Sequence, residues 1–150
     1  MRVEIETIRE VTDEVVAAFA RLLPQLSSSA DPPDRASLGR VVAAEPNTVL
    51  VARSAGRIVG TLTLVTVPML TGVRCRIEDV VVDSSARGQG VGAELTTAAL
   101  RLAREAGAGS VELTSRASRI AANRLYQRLG FQRRESNLYR YPLSGPAELP

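Results

Sequence analysis

Val80-Val81-Val82-Asp83-Ser84-Ser85-Ala86-Arg87-Gly88-Gln89-Gly90-Val91-Gly92 is the stretch that decides how this chain folds. A β-branched run gives way to a glycine-rich turn. Val91, Leu95, Ala98 and Leu102 then recur at helical spacing until Gly107. Glycine at such a turn admits positive φ and lets successive backbone amides converge on an anion. The helix N-terminus behind them adds its partial positive charge. A pyrophosphate is the natural guest, and the plain alternative is a tight turn whose glycines only let helix and strand pack. The spacing is not the dinucleotide fingerprint, which needs a third glycine within Ala93–Leu95. It is not a P-loop either: all 19 basic residues are Arg, and a P-loop needs Lys.

Outward from this turn the chain alternates short β-rich and helical patterns. Upstream, Val3–Ile8 reads as a strand, with Val3, Ile5 and Thr7 on one face. Thr12 caps a helix carrying Val15, Phe19, Leu22 and Leu26, and Asp34 caps a second helix to Ala44. Asn47–Arg53 and Arg57–Val67 form a hairpin around Ser54-Ala55-Gly56, and Arg74–Asp83 is the strand that enters the turn. Downstream, Ser110–Thr114 is a strand parallel to Arg74–Asp83. Ser118–Leu129 is a helix closed by Gly130, and Phe131–Glu135 with Leu138–Leu143 is a closing hairpin. The order is β-α-α-β-β-β-α-β-α-β-β. The fold class is α/β, a mixed, mostly antiparallel central sheet of six to seven strands with about four helices.

Composition narrows the chemistry. With 150 residues, 45% hydrophobic and 23% charged, the chain reads as one globular domain, 1–150, with a frayed tail from Gly145. The absence of His removes imidazole catalysis and imidazole metal sites, and one Cys makes neither a disulfide nor a thiolate zinc site, so no metal is expected. Cys75 reads as an inert buried thiol rather than an acyl carrier. Aromatics are 3% and the net charge of +3 is spread among acidic residues, which argues against a nucleic-acid partner. MRVEIETIRE has no apolar core of a signal peptide, and no run approaches the ~18 residues of a membrane span, so a cytoplasmic protein without membrane contact is expected. An exposed edge at the final strands would invite pairing across a two-fold axis, which leaves a homodimer open.

Two motifs together carry a resemblance. Arg87-Gly88-Gln89-Gly90-Val91-Gly92 after Val80-Val81-Val82-Asp83 resembles the acyl-CoA motif of the GNAT superfamily of N-acetyltransferases. Asn123-Arg124-Leu125-Tyr126-Gln127-Arg128-Leu129-Gly130-Phe131 resembles that superfamily's second signature, in the right order and at the right separation. The resemblance implies an acetyl-CoA-dependent N-acetyltransferase, with acetyl-CoA as cosubstrate and a small amine as acceptor. The backbone of Arg87, Gly88, Gln89, Gly90, Val91 and Gly92 would hold the pyrophosphate. The backbone of Val80, Val81 and Val82 would hydrogen-bond the pantetheine arm like an added strand, and Asn123 would contact that arm. Tyr126 would protonate the leaving thiolate. A non-catalytic acyl-CoA-binding domain on the same fold is the alternative.

Each residue also has a structural reading. Tyr126 suits a core position, and Asn123 suits a local helix-turn hydrogen bond. An alkyl amine is mostly protonated at neutral pH, so the implied reaction needs a base. Glu78 is the preferred one, Asp79 facing the other way by strand period; ion pairing of Glu78 with Arg74, Arg76 or Arg116 is its alternative. Arg116 and Arg119 suit either a ligand anion or plain solvation, and Ser118 suits a helix cap. Acceptor recognition would fall to Leu23–Arg35 and Gln132–Arg140. The Ile77–Asp83 run also looks like glucosamine-phosphate acetyltransferases; amino sugars, aminoglycosides, amino acids, polyamines and peptide N-termini stay open as acceptors.

Overall fold

The computed structural model describes residues 2–29 and 31–144. Its elements are β1 (Val3–Thr7), α1 (Asp13–Leu26), α2 (Arg35–Ala43), β2 (Asn47–Ser54), β3 (Arg57–Met69), β4 (Gly72–Val82), a 3-10 turn (Ser84–Ala86), α3 (Val91–Glu105), β5 (Val111–Glu112) and α4 (Ile120–Arg128). The strands form one five-stranded sheet in sequential order. β1 to β4 are antiparallel neighbours, and β5 joins β4 in parallel through the α3 crossover.

Apolar residues on both faces of the strands explain the layering. Leu50, Leu62, Leu64, Cys75 and Ile77 meet Val91, Leu95, Ala99 and Ala103 of α3. On the opposite face Val49, Val51, Ile58 and Val81 meet Val15, Phe19 and Leu22 of α1 and Leu38 of α2. The two upstream helices start where their caps predict: Val15 N donates to Thr12 Oγ1 at 3.3 Å and Ser37 N to Asp34 Oδ1 at 2.8 Å.

The closing hairpin expected over 131–135 and 138–143 is absent, so the described residues form five strands rather than six to seven. Gln132-Arg133-Arg134-Glu135-Ser136-Asn137 has no apolar face with which to fix a register. Leu138, Tyr139, Tyr141 and Leu143 are all exposed, and a hairpin without a buried face is marginal in water. The predicted strand Ser110–Thr114 likewise contracts to Val111–Glu112. The tail from Gly145 lies outside the described residues.

Candidate functional site

The end of β4, the start of α3 and the second half of α4 meet at one glycine. An ideal Cβ on Gly92 would stand 3.2 Å from Leu125 Cδ2 of α4 and 3.9 Å from Val82 Cγ2 of β4. The packing explanation therefore holds for Gly92. Gly88 and Gly90 are different: they sit at φ +77° and +79°, with open space where a Cβ would be. Gly90 is the N-cap of the 15-residue α3 and supplies no side-chain cap, so the first-turn amides are left for another acceptor. Left-handed glycines, uncapped amides and open space together suit an anion. Val91 is buried in the core, so only its backbone belongs to this turn. Arg87 Nε reaches back to the Val82 carbonyl at 3.4 Å, and Gln89 is exposed.

β4 supplies the second feature. Its partnership with β5 is confined to Cys75–Val111 and Arg76–Glu112, whereas on its other edge β3 follows it to Val82. From Ile77 onward the β5-facing edge of β4 has no strand beside it among the described residues. Thr63 pairs with Glu78 and Thr61 with Val81, so Asp79 and Val80 together oppose Leu62 alone. This is a β-bulge, with Asp79 at φ +51°. It reverses the alternation: Cys75 and Ile77 face α3, but so do Val80 and Val82, while Val81 faces α1. Strand period therefore does not place Glu78 and Asp79 on opposite faces, because the bulge begins between them. Asp tolerates the left-handed region better than most residues.

The acidic pair has unequal surroundings. Glu78 Oε1 is 3.1 Å from Arg76 Nε, so the ion-pairing alternative is realised with Arg76. Arg74 pairs instead with Glu112 at 3.1 Å. Asp79 keeps an exposed surface, yet partial burial raises its carboxyl above the ordinary Asp range, and the Glu78 charge adds to the rise. Cys75 is fully buried, with Thr66 Oγ1 3.5 Å from its sulfur.

On α4, Tyr126 is buried and packs edge-to-face on Phe131, with ring centroids 5.6 Å apart. Gly130, at φ +102°, ends this helix: Gly130 N donates to the Gln127 carbonyl and Phe131 N to the Tyr126 carbonyl, the paired bonds of a Schellman motif. Burial raises the Tyr126 hydroxyl above its usual pKa, with Arg119 opposing, so the phenol keeps its proton at neutral pH. Among the described residues no hydrogen bond holds that hydroxyl. Asn123 Nδ2 donates to the carbonyls of Arg116 (2.9 Å) and Arg119 (2.8 Å), the local bonding of its alternative reading. Only its side-chain oxygen is left for a ligand. Arg119, not Ser118, is the N-cap of α4, and it makes no side-chain cap bond. Arg116 and Arg119 are exposed and carry no ion pair among the described residues.

Sequence reasoning missed two features. Ser115 Oγ, just beyond β5, is buried and has no hydrogen-bond partner among the described residues. Asp83, 5% exposed, accepts from Ser85 N and Ser85 Oγ at 3.1 Å each and from Arg21 Nε at 3.2 Å. The Asp-Ser-Ser run is a local turn signal that could have marked Asp83. Arg21, 62 residues away, has none. The Ser85 amide, the Ser85 hydroxyl and Arg21 hold the Asp83 carboxyl below the ordinary Asp range. Its contribution to stability is therefore present at neutral pH and lost as pH falls through that lowered value. Asp83→Asn should cost about 1–3 kcal/mol at pH 7, the scale of hydrogen bonds to a charged group. Urea melts of the two proteins should converge in acid; a gap independent of pH would mean the Asp83 charge contributes nothing.

Residues 10–131 match the acetyltransferase (GNAT) family. The chain belongs to the GNAT acetyltransferase family. The matched segment holds β4, the glycine turn and Tyr126. No curated protein matches this chain. Among solved structures it is similar to a Trypanosoma brucei acetyltransferase, at 27% identity and TM-score 0.75, covering 94% of this chain and 100% of that one. A transcriptional regulator from Bacillus halodurans C-125 is 28% identical, with TM-score 0.75 and coverage of 93% and 99%. An aminoglycoside acetyltransferase from an uncultured soil metagenomic sample shares the fold at TM-score 0.82 and 23% identity, covering 95% and 97%. No helix among the described residues is long and apolar enough to cross a membrane.

Proposed function

We propose that this GNAT protein is an acetyl-CoA-dependent N-acetyltransferase acting on a primary amine of a small molecule or peptide. The observation that carries this reading is the continuity of two features: the unpaired edge of β4 from Ile77 to Val82 leads into a turn suited to an anion. A coenzyme A thioester needs both, an extended amide-bearing arm next to a pyrophosphate. The backbone of Val80–Val82 lies along the arm, and the amides from Arg87 to Gly92 take the pyrophosphate. The family's cosubstrate supplies an activated acetyl group. The acceptor nitrogen attacks its carbonyl carbon, the C–N bond forms, the C–S bond breaks, and an amide N–H among Val80 and Val81 stabilises the developing oxyanion. Tyr126 gives its proton to the departing sulfur. Glu78, directly or through water, removes the proton from the amine. The free, buried Cys75 accords with a reducing cytoplasm as the site of action.

A second reading, an acyl-CoA-binding domain without catalysis, is favoured by the pairing of the candidate base Glu78 with Arg76. The similarity to a transcriptional regulator points the same way. Calorimetric titration with acetyl-CoA, followed by a thiol-release screen over amino sugars, aminoglycosides, amino acids, polyamines and peptides, separates the readings. Binding with thiol release supports the enzyme, binding without release supports the sensor, and no binding removes both.

The base is tested by pH. A carboxylate base is active only when ionised, so turnover falls as pH drops through its pKa. Glu78→Gln should abolish that acid limb and lower the plateau about 10²-fold, the lower end for general base catalysis. Should the limb persist in Glu78→Gln and vanish in Asp79→Asn, the base is Asp79, whose carboxyl is already raised. A limb untouched by either variant would assign the step to water alone.

A further inference from the structure

We infer that Arg21 and Gln25, one turn apart on α1, are positioning residues that hold the entrance of the cofactor turn in its binding shape. This rests on the acetyl-CoA reading above. Arg21 Nε donates to Asp83 Oδ2 at 3.2 Å, and its Nη2 donates to the Ile58 carbonyl on β3 at 2.6 Å. Gln25 Oε1 accepts from Ser84 N at 2.9 Å. Among the described residues these are the side-chain hydrogen bonds that reach residues 83–86 from outside the segment itself. Within it, Asp83 ties Ser85 N and Ser85 Oγ, and Ala86 N donates to the Asp83 carbonyl at 2.8 Å. The 3-10 turn so closed delivers the chain directly to Arg87 and the left-handed Gly88 and Gly90.

Position and exposure separate this brace from ordinary core packing. The Arg21 side chain is one-third exposed, and the salt bridge joins it to an Asp83 side chain that is almost enclosed. A guanidinium reaches two acceptors in fixed directions, which an ammonium does not. Its targets lie on β3 and at the first residue after β4, so it fixes how the turn leaves the sheet. Gln25, at the last turn of α1, lies within Leu23–Arg35, the stretch expected above to recognise the acceptor. One face of α1 thus connects the cofactor turn to the acceptor side.

The test compares Arg21→Ala, Gln25→Leu and Arg53→Ala with the parent chain by titration with CoA, by thermal melting and by steady-state kinetics. Arg53 is the control: it bridges Glu6 and Glu14 and has no bond to the turn. Arg21→Ala removes both bonds and should raise the Kd for CoA and the KM for acetyl-CoA about ten-fold, while kcat at saturation is kept. Gln25→Leu should shift the same two quantities by less, and it keeps the idea testable if Arg21→Ala does not fold. Arg53→Ala should lower the melting temperature without changing either. An unchanged Kd in both α1 variants, or an equal rise in Arg53→Ala, overturns the proposal while the acetyl-CoA reading stands. If the parent chain itself binds no CoA, the functional reading falls and takes the proposal with it.

Discussion

Tyr126→Phe should lower turnover at least ~10-fold, a conservative bound for the loss of a general acid, and leave acetyl-CoA affinity close to that of the parent chain. The substitution is unusually clean. The ring is buried against Phe131, and Phe keeps that edge-to-face packing. The hydroxyl it removes has no hydrogen bond among the described residues, so no partner is stranded and the fold should lose under about 1 kcal/mol. Burial holds the phenol pKa above its usual value, which keeps the proton available to a leaving thiolate and unsuits the group as a base. Turnover and Kd should therefore separate: the first falls and the second stays. Equal turnover in the variant would reduce Tyr126 to a core aromatic and transfer weight to the non-catalytic reading.

How much of this site can be read from sequence depends on the range of the interaction that fixes each part. Caps and local turns are legible because both partners lie within four residues: Thr12 with Val15, Asp34 with Ser37, Gly130 after Leu129. The parallel pairing of β4 and β5 is legible because a right-handed crossover of this length admits little else. The two-motif resemblance pointed to the family that the match over 10–131 assigns. The bulge at Asp79 was not legible. It depends on Leu62 of β3 opposing two residues of β4, a register set by both core faces, and it overrides the strict alternation assumed for Glu78 and Asp79. The contacts of Arg21 are equally invisible, because nothing near residue 21 marks a partner at residue 83. The missing hairpin fails for a third reason. The expected strand Leu138–Leu143 needs a face to cover, and here Leu138, Tyr139, Tyr141 and Leu143 stay exposed.

Gly90→Val should weaken CoA binding at least ten-fold while the protein still folds. Two effects contribute, and a matched control separates them. At φ +79° any L-residue is strained by about 1–2 kcal/mol, and a β-branched one by more. That strain is general: Gly107, at φ +77° beyond the far end of α3, should impose a similar one as Gly107→Val. Neither glycine has a protein atom within 4 Å of where its Cβ would be, so neither variant is forced into a steric clash inside the fold. The melting temperatures of the two variants should therefore fall together. Their affinities should not. A side chain on Gly90 would occupy open space at the N-cap of α3, beside the amides that an anion would have to approach within hydrogen-bond distance. At Gly107 the same side chain is at the helix's other end. Gly90→Ala should lie between wild type and Gly90→Val, because it carries the strain with less of the bulk. If Gly107→Val weakens CoA as much as Gly90→Val does, the loss is one of folding. If neither weakens it, Arg87–Gly92 is a turn and nothing more, and the anion must be held elsewhere.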